Sequence, residues 1–229
     1  MKKLTFLLLI TVLLISCNQK SETMPEADSK QLFSALIQTA EQQIGHQVKL
    51  IEESGKILNP RTIENGHVQY IPKDDWTSGF FPGTMFYMYD LTGDQKWIEA
   101  GIKYTEDLDT IKHLKWHHDV GFMINSSFGN AIRVTGNSAY QEVMVEAARS
   151  LATRFRPVAG VMQSWDEDRG WQGQRGWMCP VIIDNMMNLE LLFKASRLSG
   201  DSTFHKIAVS HATQTMENHY RDDWSCYHV

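Results

Sequence analysis

The sequence lacks the features that mark several large classes of protein. Its 22 lysines and arginines are outnumbered by 27 aspartates and glutamates, and no basic run occurs, so it offers no basic patch for nucleic acid. Glycine-rich phosphate loops, paired Cys-x-x-Cys motifs and serine-centred nucleophile elbows are absent. No strand pattern of useful length appears, apart from a short extended segment at 68–71. The acidic balance excludes a broad polyanion-binding surface and leaves open a local cationic pocket for one carboxylate.

Cysteine is scarce, and its three positions divide into two groups. Cys17 lies close to the N-terminus, whereas Cys179 and Cys226 lie far along the chain. Outside the cytoplasm the latter two could pair, but isolated cysteines are more often buried thiols. The sequence therefore supports no disulfide assignment.

The N-terminus is typical of an export signal. Lys2 and Lys3 precede an apolar stretch from Leu4 to Ile15 that is too short to span a membrane as a helix. It ends in Leu-Ile-Ser-Cys at 14–17, which resembles a bacterial lipobox and implies cleavage before Cys17 and lipidation of its thiol. An ordinary signal peptide that contains a cysteine is the alternative. We expect a signal peptide at 1–16, a lipidated cysteine and tether at 17–28, and a cell-envelope lipoprotein (periplasm or outer membrane) that meets the membrane through its lipid anchor only.

The remainder of the chain has the composition of a globular domain. Its hydrophobic content of 42% can fill a core, and its charged fraction of 21% is ordinary for a soluble fold. Seven tryptophans, several of them beside glycine or aspartate, are typical of a protein that stacks aromatic rings against sugars. Core packing is the alternative use of each tryptophan.

One local pattern recurs three times and predicts the architecture. An apolar and a hydroxyl residue end one helix, a glycine takes the left-handed C′ position, an Asp or Asn caps the next helix, and an aromatic residue follows three positions later. The copies are 91–94 with Trp97, 134–137 with Tyr140, and 198–201 with Phe204. Repeated helix–turn–helix joints of this kind indicate stacked helical hairpins.

The hairpins predict an all-α fold that alternates inner and outer helices. Outer helices such as the one that begins near Tyr140 keep an amphipathic period, whereas the segment from Ile182 to Leu198 is apolar over most of its circumference and is predicted to be buried on all sides. The seven predicted helices are 29–54, 77–92, 94–112, 122–135, 138–154, 181–198 and 201–219. This arrangement favours an α/α toroid, and seven helices are too few to close a ring of six hairpins. We therefore expect a fragment of a ring over 29–229.

Three segments concentrate residues suited to chemistry. The first, 74–83, places Trp76 among glycines, aromatics and carboxylates ahead of an apolar helix, although its hydroxyls are also good helix caps. The second, 116–122, contains two histidines and Asp119. A metal site is disfavoured there, because adjacent side chains rarely converge on one ion and the His-Glu-x-x-His spacing is missing. We expect Asp119 to be exposed at the mouth of the ring and ionised by the following helix terminus.

The third segment, 179–189, places Asp184 among isoleucine and methionine, with Asn188 one turn further on. Burial there would favour the protonated carboxyl group that a general acid requires, although an Asp in a first helical turn can equally be a cap. Asp119 and Asp184 thus form a candidate pair with different environments, the usual way to separate acid and base roles.

Together these segments resemble the signatures of glycoside hydrolase family 88, the unsaturated glucuronyl hydrolases. The matching motifs are Asp-Trp-Thr-Ser-Gly-Phe at 75–80, His-Asp-Val-Gly-Phe at 118–122, Ile-Asp-Asn-Met-Met-Asn-Leu at 183–189 and the closing Tyr-His at 227–228. They occur in the family's order and span nearly the whole chain. The resemblance implies an (α/α)6 barrel that is incomplete in this chain. It also implies that the substrates are the short oligosaccharides left by polysaccharide lyases. It implies no metal or organic cofactor, and leaves the oligomeric state open.

The resemblance also implies roles for individual residues. It makes Asp184 and Asp119 the catalytic pair, Trp76 and His228 substrate-binding residues, and Trp165 a second stacking residue. Asn188, on the same helix face as Asp184, joins the predicted substrate-binding set. The implied reaction hydrates the C4=C5 double bond of an unsaturated uronic acid and so differs from ordinary glycoside hydrolysis, in which the anomeric carbon is attacked.

Four alternatives remain open from the sequence. Unsaturated rhamnogalacturonyl hydrolases of family 105 share part of the pattern. A truncated inactive chain, or a non-catalytic glycan-binding lipoprotein on the same scaffold, would keep the tryptophans. An unrelated toroidal enzyme such as a lyase would rely on tyrosine and histidine instead of the aspartates.

Overall fold

The computed structural model of the chain describes residues 26–167 and 170–229. The predicted signal peptide, Cys17 and most of the tether lie outside the described residues. Two compact units are present: residues 26–42 form the described part of the first, and residues 43–229 form the second, which contains the three repeated joints and the segments 74–83, 116–122 and 179–189. No helix in the described part of the chain is both long and apolar enough to cross a membrane.

The described residues are mostly helical, as predicted. The α-helices are α1 (Glu26–Glu53), α2 (Phe80–Thr92), α3 (Lys96–Asp107), α4 (Val120–Ile124), α5 (Asn130–Thr135), α6 (Tyr140–Ala152), α7 (Gly170–Gln174), α8 (Leu189–Ser199) and α9 (Ser202–His219). A π turn (Asn125–Gly129) joins α4 to α5, and 3-10 turns occupy Asp109–His113 and Ile183–Asn188. Each of the seven predicted helical segments is present with shifted bounds.

The three repeated joints have the predicted geometry. Their glycines all adopt left-handed backbone, with φ of 71°, 69° and 75° at Gly93, Gly136 and Gly200. In each joint the Asp or Asn side chain accepts a hydrogen bond from a backbone N–H two residues later, at 2.8–3.0 Å. The aromatic residue that follows each joint is buried. The joint chemistry of the sequence is therefore confirmed, because a glycine C′ residue and an Asx cap satisfy the helix ends on both sides.

Consecutive helices pack as hairpins around one core. Within the second unit, α2 packs on α3, and α8 packs on both α6 and α9. The predicted apolar stripe of α6 is buried throughout, from Tyr140 to Leu151. The largest buried side chains of this core include Phe86, Leu108, Met123, Phe128, Met144 and Leu191.

A β-hairpin precedes α2; its second strand contains the extended segment predicted at 68–71, but its first strand and the pairing of the two were not predicted. Its antiparallel strands are β1 (Asn59–Glu64) and β2 (His67–Ile71), joined by Asn65 and Gly66 at φ of 50° and 79°. Asn-Gly with positive φ at both positions forms the tight turn that matches strand twist, and it is a strong short-range hairpin signal. The sequence therefore contained the evidence for this hairpin. A second, two-residue pair joins β3 (Phe155–Arg156) to β4 (Val161–Met162).

The prediction of a uniformly buried helix over 182–198 is wrong. Residues 183–188 form a 3-10 turn, and α8 begins only at Leu189. Met186, Met187 and Leu198 are exposed, whereas Leu191 and Leu192 are buried. Residues three apart eclipse one another in a 3-10 turn, so this segment presents one buried side and one open side.

Two glycines let the backbone of α4 and the π turn approach α2 closely. A Cβ atom on Gly79 would lie 2.7 Å from the Cα atom of Met123, and one on Gly83 would lie 2.7 Å from the carbonyl oxygen of Ser126. These positions are one helical turn apart, so the contact runs along one face of α2. The approach fixes the segment that carries Trp76 beside the segment that carries Asp119.

This contact predicts the effect of substituting alanine for glycine. Gly79→Ala must push two backbones apart, so we expect it to lower the free energy of unfolding by about 1–3 kcal/mol, the usual cost of overpacking. Gly45→Ala, in α1, would meet only Trp97 at 3.9 Å and should be neutral or stabilising by up to about 1 kcal/mol. Denaturant unfolding of both variants tests this, and equal effects would contradict it.

Candidate active site

The structure brings the two predicted aspartates to one nitrogen atom. Asp119 immediately precedes α4, and Asp184 lies in the 3-10 turn before α8. Oδ1 of Asp119 is 2.9 Å from Nε2 of His118, and Oδ1 of Asp184 is 3.1 Å from the same atom. Two carboxylates that are distant in sequence therefore share one imidazole nitrogen.

The opposite side of the His118 ring is fixed by the backbone. Nδ1 lies 2.8 Å from the carbonyl oxygen of Ser164, which can only accept a hydrogen bond, so Nδ1 carries a proton. Burial lowers the pKa of His118, but the hydrogen bonds to Asp119 and Asp184 outweigh it and raise the pKa to about 9. His118 is thus an imidazolium near neutral pH, and its Nε2 proton faces two carboxylates.

Asp119 is buried, in contrast to the prediction of an exposed position. Its side chain is only 13% exposed and lies between two imidazoles, with Oδ2 at 3.2 Å from Nδ1 of His117. Burial raises the pKa of Asp119, but the neighbouring imidazoles of His117 and His118 outweigh it and hold the pKa well below its usual range. Asp119 is therefore ionised, as expected, but the histidines are the cause and the side chain makes no capping hydrogen bond to the helix.

Asp184 is the more open member of the pair, again the reverse of the prediction. Its side chain is 42% exposed. Because residues three apart share a side of the 3-10 turn, Asp184 lies with the exposed Met187, whereas the buried positions are taken by Asn185 and Asn188. The prediction that Asp184 is buried is therefore wrong.

A chain of buried amides connects the two segments that carry the aspartates. Oδ1 of Asn188 accepts from the N–H of Phe122 at 2.9 Å, and Nδ2 of Asn188 donates to Asn185 at 3.1 Å. Asn185 in turn donates to the carbonyl of Met162 at 2.8 Å. Asn188 was predicted to bind substrate, but the structure places it in the interior with both ends of its amide used inside the protein.

Gly121 is required by the same contact. A Cβ atom at this position would lie 2.6 Å from Cβ of Asn188 and closer still to its amide oxygen. The glycine of the His-Asp-Val-Gly-Phe motif therefore lets the start of α4 dock against the turn that bears Asp184.

Ser164 is a site residue that the sequence analysis missed. Its carbonyl accepts from both the backbone N–H and Nδ1 of His118, and its hydroxyl accepts from the N–H of Ile182 at 3.0 Å. Ser164 is fully buried. The sequence gives little signal for such a role, because a backbone carbonyl acts independently of residue type.

The predicted stacking residues contact two different residues of the 118–122 motif. Trp76 is 45% exposed and meets Phe122 edge to face at a centroid distance of 6.3 Å. Trp165 meets the ring of His118 at 5.5 Å. Each indole thus contacts one residue of the motif that contains Asp119.

His228 approaches the site through its backbone. Its carbonyl accepts a hydrogen bond from the N–H of Ile183 at 3.0 Å, which places residue 228 beside the neighbour of Asp184, and its side chain is exposed. Its role in binding substrate stays a prediction. Cys179 and Cys226 are free thiols. Among the described residues, no group of three or more His, Cys, Asp or Glu side chains could hold a metal ion.

Comparison with known proteins identifies similar chains. The sequence is 35% identical to an unsaturated glucuronyl hydrolase of Formosa agariphila over this whole chain and 56% of the relative. It is 30% identical to an unsaturated glucuronyl hydrolase of Bacillus sp. strain GL1, over 73% of this chain and 45% of that one. No family model matches. The chain thus spans about half the length of the curated relatives that it matches.

Solved structures give the same result. An unsaturated glucuronyl hydrolase specific for heparin aligns with a TM-score of 0.74 and 39% identity, over 84% of this chain and 50% of that one. The enzyme from Bacillus sp. GL1 aligns with a TM-score of 0.67 and 27% identity, over 81% of this chain and 49% of that one. The helical hairpins described above therefore form part of an α/α toroid.

The shared proton predicts how stability depends on pH. The pKa of His118 is about 9 in the folded chain, against about 6.5 for a free histidine, so proton binding stabilises the folded state fully below pH 6.5 and this contribution is lost as the pH rises towards 9. We expect the melting temperature of the chain to fall across that window. In His118→Gln the melting temperature should be lower at pH 6.5 and should fall less between pH 6.5 and 9.

The matched control is His113→Gln, because His113 is an exposed histidine whose nearest carboxylate, on Glu146, is 3.7 Å away. This variant should keep the slope of the unsubstituted chain. Parallel melting curves for His118→Gln and the unsubstituted chain between pH 6.5 and 9 would contradict the assignment of the proton to His118.

Proposed function

We propose that this chain, which belongs to glycoside hydrolase family 88, the unsaturated glucuronyl hydrolases, carries the acid-catalytic centre of a hydrolase. This hydrolase releases 4,5-unsaturated uronic acid from the non-reducing end of oligosaccharides. The observation that carries the proposal is the approach of Asp119 and Asp184 to the same nitrogen of His118, at 2.9 and 3.1 Å. Because the chain spans about half the length of its relatives, its activity and its substrate are both parts of the proposal.

The proton on Nε2 of His118 supplies the acid. Nδ1 is held by the carbonyl of Ser164, so the only proton that can move is the one facing the carboxylates. Transfer to Oδ1 of Asp184 over 3.1 Å leaves a neutral imidazole and a carboxylic acid. Asp119 does not take the proton, because its two histidine partners favour its ionised form. The acidic proton of Asp184 thus comes from His118 and does not require burial of Asp184.

The two environments suit two different roles. Asp184 is exposed enough to reach a sugar, whereas Asp119 is enclosed between His117 and His118. In the proposed reaction Asp184 protonates C4 of the C4=C5 bond, which places oxocarbenium character on C5 and the ring oxygen. Water, deprotonated by the Asp184 carboxylate, adds at C5. The resulting hemiketal opens and releases the rest of the glycan, while the Asp119 carboxylate stabilises the positive charge beside it.

Other parts of the site fit a sugar substrate. Trp76 is a partly exposed indole next to the 118–122 motif, and the apolar surface of an indole suits the apolar face of a sugar ring. Asn185 and Asn188 hold the turn of Asp184 against the start of α4, so we assign them a positioning role.

Glycosaminoglycan fragments are the favoured substrates. A relative from Streptococcus agalactiae, 29% identical over 74% of this chain, is an unsaturated chondroitin disaccharide hydrolase, and the solved structure cited above belongs to an enzyme specific for heparin. These names support an unsaturated uronyl-hexosamine substrate over a rhamnogalacturonan fragment. Lipid anchoring at Cys17 and a location in the cell envelope complete the proposal and rest on the lipobox alone.

Loss of ultraviolet absorbance from an unsaturated chondroitin disaccharide tests the function, because the conjugated double bond disappears only if it is hydrated. Asp184→Asn should lower the rate by about 10²–10⁴-fold, the usual contribution of a general acid, while binding remains measurable. Asp109→Asn is the matched control, because Asp109 is an exposed aspartate paired with Lys112. Near-normal turnover by Asp184→Asn would rule out its assigned role. Activity only on rhamnogalacturonan fragments would move the substrate to the family 105 type.

A further inference from the structure

An arginine lies against two tryptophans close to the proposed catalytic cluster. The Cζ atom of Arg175 is 4.8 Å from the ring centroid of Trp171 and 5.1 Å from that of Trp177. The two indoles are 5.6 Å apart at an interplanar angle of 74°, so they form a corner that the guanidinium occupies. Neither this arginine nor its two aromatic neighbours take part in the mechanism proposed above.

Ring contacts connect this corner to the cluster of His118, Asp119 and Asp184. The ring of Trp171 is 6.4 Å from that of Trp165, and Trp165 is 5.5 Å from the ring of His118. Three successive contacts therefore lead from the imidazole that binds Asp184 to the guanidinium of Arg175. Trp171 is 45% exposed, so solvent reaches the surface beside the arginine. We call the surface formed by Trp165, Trp171, Arg175 and Trp177 the aromatic wall.

The donors of Arg175 are available, whereas Arg154 and Arg156 use several of theirs within the protein. Arg154 donates to the carboxylate of Asp166 at 3.1 Å and to backbone carbonyls, and Arg156 donates to the side chain of Gln163 at 2.7 Å. Within residues 26–167 and 170–229, Arg175 makes no hydrogen bond and no ion pair, and its guanidinium lies over the two indoles. An arginine held by aromatic rings in this way keeps its N–H groups for a planar or tetrahedral anion.

We infer that Arg175 and the aromatic wall recognise an anionic group, a sulfate ester or a carboxylate, on the part of the oligosaccharide that leaves when the unsaturated uronic acid is released. The inference rests on the proposed function and specifies its substrate class. The indole faces pack against the apolar faces of the sugar rings, and the guanidinium binds the anion through two parallel hydrogen bonds. The chain has a formal net charge of −5, so an anionic glycan needs such a local cation to offset the repulsion.

Paired substrates test this assignment. Unsaturated chondroitin disaccharides with and without a 6-sulfate on the hexosamine differ only in the proposed anion, and an unsulfated unsaturated tetrasaccharide adds a carboxylate further along. For Arg175→Gln we expect kcat/KM to fall about tenfold or more on the 6-sulfated disaccharide if Arg175 binds the sulfate, or on the tetrasaccharide if it binds the carboxylate. In either case kcat/KM on the unsulfated disaccharide should be unchanged. Arg175→Lys keeps the positive charge but lacks the paired N–H donors, so its kcat/KM on the affected substrate should lie between the values of the unsubstituted chain and Arg175→Gln. An equal effect of Arg175→Gln on all three substrates would overturn the inference.

A binding measurement separates this inference from the proposed function. A saturated 6-sulfated chondroitin disaccharide has no C4=C5 double bond to hydrate, so quenching of tryptophan fluorescence by it reports binding alone. We expect saturable quenching in the chain and in Arg149→Gln, whose arginine lies on α6 and pairs with Glu146, and at least tenfold weaker binding in Arg175→Gln. Binding with this dependence but without turnover of any substrate would support the recognition site and reject the proposed reaction. No saturable binding by the chain, or equal binding by the two variants, would overturn the inference.

Discussion

The proton on Nε2 of His118 is the interaction on which the rest of the proposed site depends. A buried imidazolium is costly by itself, and here two carboxylates stabilise it from one side while the carbonyl of Ser164 fixes it from the other. The same proton accounts for the buried ionised Asp119 and provides Asp184 with a source of acid. A site of this kind requires that three chain segments be held to within hydrogen-bond distance.

The fold meets that requirement with buried polar contacts and with glycine. Asn188 connects the turn of Asp184 to the start of α4, and Gly121 allows the two to touch. Gly79 allows α2 to approach the same helix, which brings the Trp76 segment beside it. Outside this region the repeated joints determine the hairpin geometry without contributing to the chemistry. The molecule thus separates the residues that build the toroid from the residues that align the proton.

The errors of the sequence analysis have a common cause. The apolar segment 182–198 was interpreted as one buried helix, but residues 183–188 form a 3-10 turn. This turn exposes Asp184 and buries Asn188. Asp119 was expected at the exposed mouth of the ring, near the start of the following helix, but the adjacent His117 and His118 enclose it. In both cases burial was inferred from the local sequence, whereas it depends on the folded surroundings of the residue. The missed hairpin differs, because its Asn-Gly turn was present in the sequence.

The sequence by itself determined the helical hairpins, the capped joints and the identity of the two aspartates, because helix periodicity, glycine C′ residues and short motifs are local properties of the chain. The tertiary structure alone decided which aspartate is buried, which nitrogen they share and which carbonyl fixes that ring. It also decided that Trp165, which lies beside Trp171, contacts the ring of His118. These facts depend on distances between residues far apart in sequence, such as His118 and Asp184, and no local pattern encodes those distances.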